Sequence, residues 1–167
     1  VLERHGLGGS AHILHVPDTR HMPFEASSFD FILANSVLEY VDPDHLDAVM
    51  AELHRLLRTG GTMLICGTAS RLAPREIHSR RWLVNYLPRW VDKLTGRPLQ
   101  RGLSPRLLAR TIRGRFVDAT GRYWLEGRRA IHGTPSLSMR ILDALVRPTG
   151  RSPGWVAPHI EVLLRKP

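Results

Sequence analysis

The sequence contains few of the residues that mark secreted, disulfide-linked or membrane-spanning proteins. It has a single cysteine, Cys66, among 167 residues, so no disulfide can form within the chain. A lone cysteine suits a reducing compartment, and we expect a cytoplasmic location. No apolar run approaches the roughly 18 residues that a transmembrane helix requires, and no signal peptide opens the chain.

Lysine is also scarce, because 22 of the 24 basic residues are arginine. The net charge of +9 is unevenly placed: residues 1–69 carry a balance of −5 and residues 70–167 a balance of +14. A basic half of this kind is typical of proteins that bind nucleic acid or an anionic lipid surface. A coding preference for arginine would give the same dispersed pattern, so both interpretations stay open.

Length and periodicity favour one α/β domain over residues 1–167. Residues 12–16 read as a strand, and residues 29–35 as a buried strand that is covered on both faces. After them, Asp42 and Pro43 predict the start of a helix. The apolar stripe of that helix recurs at three- and four-residue spacing and comprises Leu46, Val49, Met50, Leu53, Leu56 and Leu57.

Gly60 and Gly61 should end this helix, and residues 62–66 should form a strand parallel to residues 29–35. The second half of the chain predicts two further helices and two further strands. In chain order these are a helix capped by Ser104 and stopped by Gly114, a strand at 116–120, a helix at 136–147 and a strand at 160–164.

Residues 17–41 carry a recognisable pattern of turns and strands. Asp18 follows a strand, a Pro23-Phe24 turn comes next, and Ser28-Phe29-Asp30 leads into the buried strand and then Leu38-Glu39-Tyr40-Val41. This order resembles the middle of a class I S-adenosylmethionine (SAM)-dependent methyltransferase, of the type 11 kind. The resemblance implies a Rossmann-like, mostly parallel α/β sheet and transfer of a methyl group from SAM to an acceptor, which we expect to be a small molecule.

The Gly-rich loop that holds most of the cofactor in this family has no counterpart in the sequence, and neither does the acidic residue that binds the ribose. Gly6, Gly8 and Gly9 do not replace the loop, because only eight residues separate Gly9 from Asp18. We therefore expect an N-terminally incomplete domain. An unpaired sheet edge at residues 29–35 should then promote self-association.

The resemblance also assigns roles to four residues at strand ends. Asp18 would accept a hydrogen bond from the adenine amino group, and Thr19 would offer its backbone amide to the ring. Asn35 and Ser36 would lie beneath the methionine portion of SAM. Each pair also has a structural interpretation, either as a turn after Pro17 or as a polar strand end.

Three aromatic residues are candidates for acceptor binding. Tyr40 stands where the family often has histidine, and it can donate a hydrogen bond but is a poor base near neutral pH. Trp82 and Tyr86, together with Trp90, would share one face of a helix. They lie within residues 71–101, which contain seven arginines. This region fits a substrate lid over 71–103, a nucleic-acid surface, or a peripheral helix with its tryptophans packed on the sheet.

Other kinds of site are not predicted. The sequence has no His-Glu-x-x-His or Cys-x-x-Cys motif for a metal, and Cys66 reads as a small core residue. No residue is assigned as catalytic. Besides the enzyme, two alternatives stay open: a non-catalytic methyltransferase-like scaffold, and a basic module that binds nucleic acid or anionic lipid. In either case residues 12–69 form the cofactor-side half and residues 104–167 the C-terminal half.

Overall fold

The computed structural model describes residues 12–121 and 123–167. Within them, a four-stranded sheet has the order β1-β2-β4-β3. The strands are β1 (Phe29–Asn35), β2 (Leu57–Ala69), β3 (Val117–Asp118) and β4 (His159–Arg165). The described α-helices are α1 (Leu46–Leu56), α2 (Val91–Thr95), α3 (Pro105–Ile112), α4 (Tyr123–His132) and α5 (Leu137–Val146).

The predicted strand-helix-strand unit is present as β1, α1 and β2. β1 and β2 are parallel, with Phe31 opposite Thr62 and Asn35 opposite Cys66. α1 packs its apolar stripe into the core, and the whole predicted set from Leu46 to Leu57 is buried. The Rossmann-like α/β class expected from the sequence is therefore confirmed.

The bounds of α1 and β2 differ from the prediction. α1 begins only at Leu46, because the Asp42 carboxylate instead accepts a hydrogen bond from the Asp44 amide, at 3.0 Å, in a turn before the helix. The helix ends at Leu56, and the backbone is already extended at Leu57. Gly60, with φ of 78°, therefore lies inside an irregular stretch of β2 rather than at a helix end.

The predicted strand at residues 12–16 is wrong. These residues make no ladder in the structure, and the Ile13 side chain is 93% exposed. A strand is stable only beside a neighbour, and no described segment pairs with residues 12–16 or with the free edge of β1. β1 itself is also not covered on both faces, since Phe31 and Leu33 are 51% and 55% exposed.

The sheet is mixed and not mostly parallel, which corrects a second expectation. β4 runs antiparallel to both β2 and β3, and β3 has two residues where five were predicted. The two central strands hold the core of the sheet. Their fully buried side chains include Met63, Ile65, Ile160, Val162 and Leu164.

Two of the second-half helices are confirmed and one was missed. α3 begins as predicted, with the Ser104 hydroxyl accepting from the Leu107 amide, and α5 is capped in the same way by Ser136. α4 was not predicted, because Gly127 in its middle weakens the helical pattern. None of the described helices is both long enough and apolar enough to span a bilayer.

Residues 71–101 do not form the single helix on which three aromatics would share a face. Only a short 3₁₀ turn at Val84–Tyr86 and the five-residue α2 are helical there. Pro88 lies between them and cannot donate a helical hydrogen bond. Trp82 and Trp90 are 67% and 61% exposed, so the interpretation with tryptophans packed on the sheet is also wrong.

Candidate functional site

Two charged side chains of α1, Glu52 and Arg55, bind the backbone of the segment before β1. Glu52 Oε1 accepts a hydrogen bond from the Met22 amide at 2.8 Å, and Arg55 Nη2 donates to the Phe24 carbonyl at 2.9 Å. The Arg55 guanidinium, with the Met22 amide, lowers the pKa of Glu52 to about 2. The Phe24 ring meets Phe29 edge-on at 5.1 Å. These contacts fix the loop between Asp18 and β1.

Asp18 is held in a turn by Arg20. Nε and Nη2 of Arg20 donate to the two carboxylate oxygens, each at 2.9 Å, and the Arg20 amide donates to Oδ1 at the same distance. These hydrogen bonds hold the pKa of Asp18 well below its usual range, so the carboxylate is ionised and can only accept. The Asp18 side chain is 41% exposed and retains room for a further donor. Thr19 is exposed in the same turn.

Asn35 and Ser36 lie where β1 ends, against Gly67 of β2. Ser36 has a left-handed backbone with φ of 52°, and its amide and hydroxyl donate to the carbonyls of Cys66 and Gly67, both at 3.0 Å. Gly67 has φ of 61°, and a Cβ there would lie 2.5 Å from Asn35 Oδ1 and 2.7 Å from Ser36 Oγ. We call these three residues the strand-end cradle. Strained backbone of this kind is concentrated at functional sites.

A buried carboxylate follows directly after the cradle. The Glu39 side chain is 0% exposed, and its Oε1 accepts from the Ala69 amide at 3.4 Å and lies 3.1 Å from His78 Nε2. Its second oxygen, Oε2, has no hydrogen-bond partner among the described residues. Because an unpaired buried carboxylate oxygen is costly, this atom marks a place where a further donor is required.

His78 is positioned by a second buried acid. The Glu76 carboxylate accepts from the amides of His78, at 3.1 Å, and Ser79. Burial raises the pKa of Glu76, but these hydrogen bonds outweigh it and lower the pKa overall. One third of the His78 side chain is exposed, and its ring centroid is 5.7 Å from that of Tyr40. If Nε2 donates to Glu39, the Nδ1 lone pair is left for another partner.

The structure brings three of the predicted residues together. Asn35, Ser36 and Tyr40 lie at the end of β1 and in the turn that follows it. No hydrogen bond in residues 12–121 and 123–167 joins Asp18 to the cradle. Trp82 instead lies 6.0 Å from the guanidinium of Arg75. Sequence reasoning missed the Glu39–His78 contact, because 39 residues separate the partners and no local spacing signals it.

Two other kinds of site find no support in the described part of the chain. No group of three or more histidine, cysteine or acidic side chains there is arranged to hold a metal ion. Cys66 is half-buried, and burial, followed by the charge of Glu161, raises the pKa of its thiol. A raised pKa disfavours the thiolate that a nucleophile needs.

Comparison with known families identifies the first part of the chain. Residues 3–65 match a family model described as a methyltransferase domain. The match includes the whole pattern of turns and strands at residues 17–41 and ends in β2, two residues before Gly67. The resemblance to class I SAM-dependent methyltransferases is therefore confirmed for this segment. A search of curated proteins found no match for the chain.

Solved structures also align with the chain. One is the [4+2]-cyclase SpnF, at 18% identity and a TM-score of 0.49 over 99% of this chain. Another is a geranyl diphosphate methyltransferase in complex with SAM, at 16% identity and a TM-score of 0.48 over 98% of this chain. A third, from Streptomyces coelicolor A3(2), is a geranyl diphosphate C-methyltransferase, at 15% identity and a TM-score of 0.43 over 90% of this chain and 50% of that one. The chain spans 60% of the length of the first two.

The residues at the strand ends fit the chemical groups of SAM. The cofactor carries a sulfonium and an ammonium, both of which favour nearby oxygen acceptors, and an adenine amino group that needs one. Unpaired Glu39 Oε2, Asn35 Oδ1 and the ionised Asp18 carboxylate are acceptors of this kind. The unsatisfied Glu39 oxygen is the observation on which this fit depends.

Proposed function

We propose that this chain forms part of a SAM-dependent methyltransferase that acts on a small-molecule acceptor. The proposal depends on two observations that concern the same part of the chain. The segment that matches a methyltransferase domain ends two residues before Gly67 of the strand-end cradle, and it contains the buried Glu39 Oε2, which lacks a hydrogen-bond donor among the described residues. SAM, when bound, supplies a methyl group on its sulfonium, which an acceptor removes by direct displacement. The contribution of the protein is then to align donor and acceptor.

In this proposal the two ends of the cofactor are held by different parts of the chain. Asp18 accepts from the adenine amino group, and the backbone amide of Thr19 faces the ring. Asn35 and Ser36 lie beneath the methionine portion, where Glu39 Oε2 gains the donor that it lacks. Gly67 is required because any side chain at this position would displace the cradle.

Proton transfer is assigned to His78. Methylation of a hydroxyl or amine releases a proton. The His78 ring lies beside Tyr40 and within hydrogen-bond distance of Glu39, and its Nδ1 would act as the base. The proton on Nε2 stays hydrogen-bonded to Glu39, whose negative charge stabilises the imidazolium that forms. Glu39 thus acts as a positioning residue for the imidazole, and Tyr40 lies where it would donate to the acceptor.

The first experiment is a calorimetric titration of the chain with S-adenosylhomocysteine, the demethylated product, which needs no acceptor. We expect micromolar binding that Asp18→Ala weakens about tenfold, because one charge-assisted hydrogen bond to adenine is lost. Asp44→Ala is the matched control, since Asp44 is exposed in the turn before α1. Equal affinities for the two variants would remove Asp18 from the site. A folded chain without affinity would support the non-catalytic scaffold instead.

The role of His78 can be tested without an acceptor by ¹⁵N NMR of the imidazole. We expect the proton on Nε2 and an unprotonated Nδ1 in the native chain at neutral pH. Glu39→Gln should shift the tautomer equilibrium toward Nδ1–H, because an amide oxygen is a weaker acceptor for the Nε2 proton than a carboxylate. A native imidazole protonated on Nδ1, or one that Glu39→Gln leaves unchanged, would contradict the assignment.

A further inference from the structure

A groove runs from the end of β2 along α3 and encloses about 1010 Å³, the size of a small-molecule site. Its wall is partly apolar and includes Leu72 and the buried ring of Trp155. Its lining also includes five arginines: Arg71, Arg106, Arg110, Arg113 and Arg151. We call it the arginine groove.

The positive charge of the arginine groove is not balanced within the described residues. Asp118 is the one acidic residue that lines it, and its carboxylate already accepts from Trp155 Nε1 at 2.7 Å and from the Thr120 amide at 2.9 Å. Elsewhere in the described chain many arginines have carboxylate partners, as Arg101 does in Asp92. The lining arginines have no such partner among the described residues.

The exposed face of α3 shows the same imbalance. Arg106 and Arg110 lie four residues apart on one side of α3, and Arg113 follows at the residue where the helix ends. Like charges at this spacing destabilise a helix by a few tenths of a kcal/mol per pair. Arg106 also lies in the first turn, where the helix dipole disfavours a cation and where α3 has no acidic residue.

Arg71, two residues after the end of β2, carries this charge partly into the interior. It is half-buried, and its Nε donates to the Asn85 carbonyl at 2.8 Å and its Nη2 to the Leu87 carbonyl at 3.5 Å. Burial, and then the neighbouring Arg101 and Arg89, lower the pKa of Arg71. A guanidinium that is partly removed from water and surrounded by other cations is stabilised by any anion that reaches it.

We propose that the arginine groove binds a small molecule that has a phosphate or diphosphate group and an apolar body. Guanidinium groups match the geometry of phosphate oxygens with paired hydrogen bonds, and Leu72 and Trp155 offer the apolar body a surface. The groove begins two residues after Ala69, whose amide binds Glu39. We assign this ligand as the methyl acceptor, and that assignment rests on the proposed methyl-transfer function. Anion binding by the groove does not depend on that function.

The test is calorimetric titration of the full chain with inorganic diphosphate, without SAM or its analogues. The groove variant is Arg106→Gln combined with Arg110→Gln, and the matched control is Arg129→Gln combined with Arg140→Gln. All four side chains are exposed on helices, and both variants lose two positive charges. We expect the groove variant to bind diphosphate at least about tenfold more weakly and the control to differ less than about twofold.

The proposal would be overturned if the folded native chain did not bind diphosphate, or if the two double variants lost affinity for diphosphate equally. It would also be overturned if the native chain bound a short single-stranded RNA or phosphatidylglycerol vesicles more tightly than diphosphate and the two double variants lost that affinity equally. Equal losses indicate a diffuse basic surface. Because the probe is diphosphate alone, failure of cofactor binding leaves this outcome unaffected. Diphosphate binding that survives when S-adenosylhomocysteine does not bind would separate the two proposals.

Discussion

The two edges of the sheet differ in a way that the composition of their strands does not predict. β3 forms one edge with only two residues, and a short edge offers little backbone to another chain. β1 forms the other edge with seven residues and leaves Phe31 and Leu33 about half exposed. Between them, β2 and β4 pair with each other along most of β4, and side chains such as Ile65 are completely buried.

This difference shows that an apolar run in the sequence predicts a strand, but does not predict which other parts of the protein pack against that strand. β1 has the continuous apolar sequence of a strand enclosed on both faces, yet the described residues supply that enclosure only in part. The strand-end cradle lies at the end of this same exposed strand. The proposed cofactor site and the least protected edge of the sheet therefore share the strand β1. The following predictions compare each of them with the enclosed strands.

The largest expected effect comes from truncating the enclosed side chains. Ile65→Ala should lower the free energy of unfolding by about 2–5 kcal/mol, because it opens a cavity in a fully buried position of β2. Leu33→Ala on β1 should cost less than about 1 kcal/mol, because its side chain already faces solvent. Urea denaturation measures both. A larger loss for Leu33→Ala would show that the β1 face is covered in solution.

A second prediction concerns the cradle, where β1 and β2 meet. Gly67→Ala should destabilise the chain by about 1–3 kcal/mol, because alanine is strained at φ of 61° and its Cβ would overlap Asn35 Oδ1. Affinity for S-adenosylhomocysteine should fall as well. Gly96→Ala is the control, since it has a similar φ of 66° but nothing within 4 Å. Equal losses of affinity would mean that the cradle does not contact the cofactor.

The pH dependence of stability tests the interaction of Glu52 with Arg55 and the Met22 amide, which holds the loop before β1. Arg55 and the Met22 amide lower the folded-state pKa of Glu52 from 4.5 to about 2, so the carboxylate stabilises the fold above pH 4.5. This contribution should be lost progressively as the pH falls from 4.5 toward 2. Thermal denaturation should show a flatter acid limb for Glu52→Gln and an unchanged one for Glu25→Gln, whose side chain is exposed. Identical limbs for Glu52→Gln and the native chain would contradict the ion pair.

The smallest effect on stability, below about 0.5 kcal/mol, is expected from charges placed on the two edges. Leu33→Lys should shift sedimentation velocity profiles from associated species toward monomer, because lysine protects an exposed strand edge. Val117→Lys, on the short edge strand β3, should leave the profiles unchanged. A native chain that sediments as a monomer at all concentrations would remove the prediction of self-association.

How much of the fold the sequence predicts depends on the range of the interactions involved. Local signals predict the apolar stripe of α1, the Ser104 cap of α3 and the sites of β1 and β4, because spacing and capping act within a few residues. The strand at residues 12–16 fails, since pairing depends on a neighbour that local sequence does not reveal. The approach of Glu39 to His78 was missed for the same reason.

The same distinction between local and long-range interactions applies to the candidate site. The turn at Asp18 and the polar strand end at Asn35 could be located from the pattern around them. What they contact could not, because Gly67 reaches the cradle only through the parallel pairing of β1 with β2. The arginines of the groove come from three separate segments of the chain, so composition indicated a basic half but not a concave site.

The most direct measurement is an amide chemical-shift map of the ¹⁵N-labelled chain during titration with S-adenosylhomocysteine. If the ends of β1 and β2 form the cofactor site, the largest shifts will fall on Thr19, Ser36 and Gly67, and β3 will be unaffected. A titration in which these amides do not move, or in which the shifts gather on α5, would contradict the assignment of a methyltransferase site to this end of the sheet.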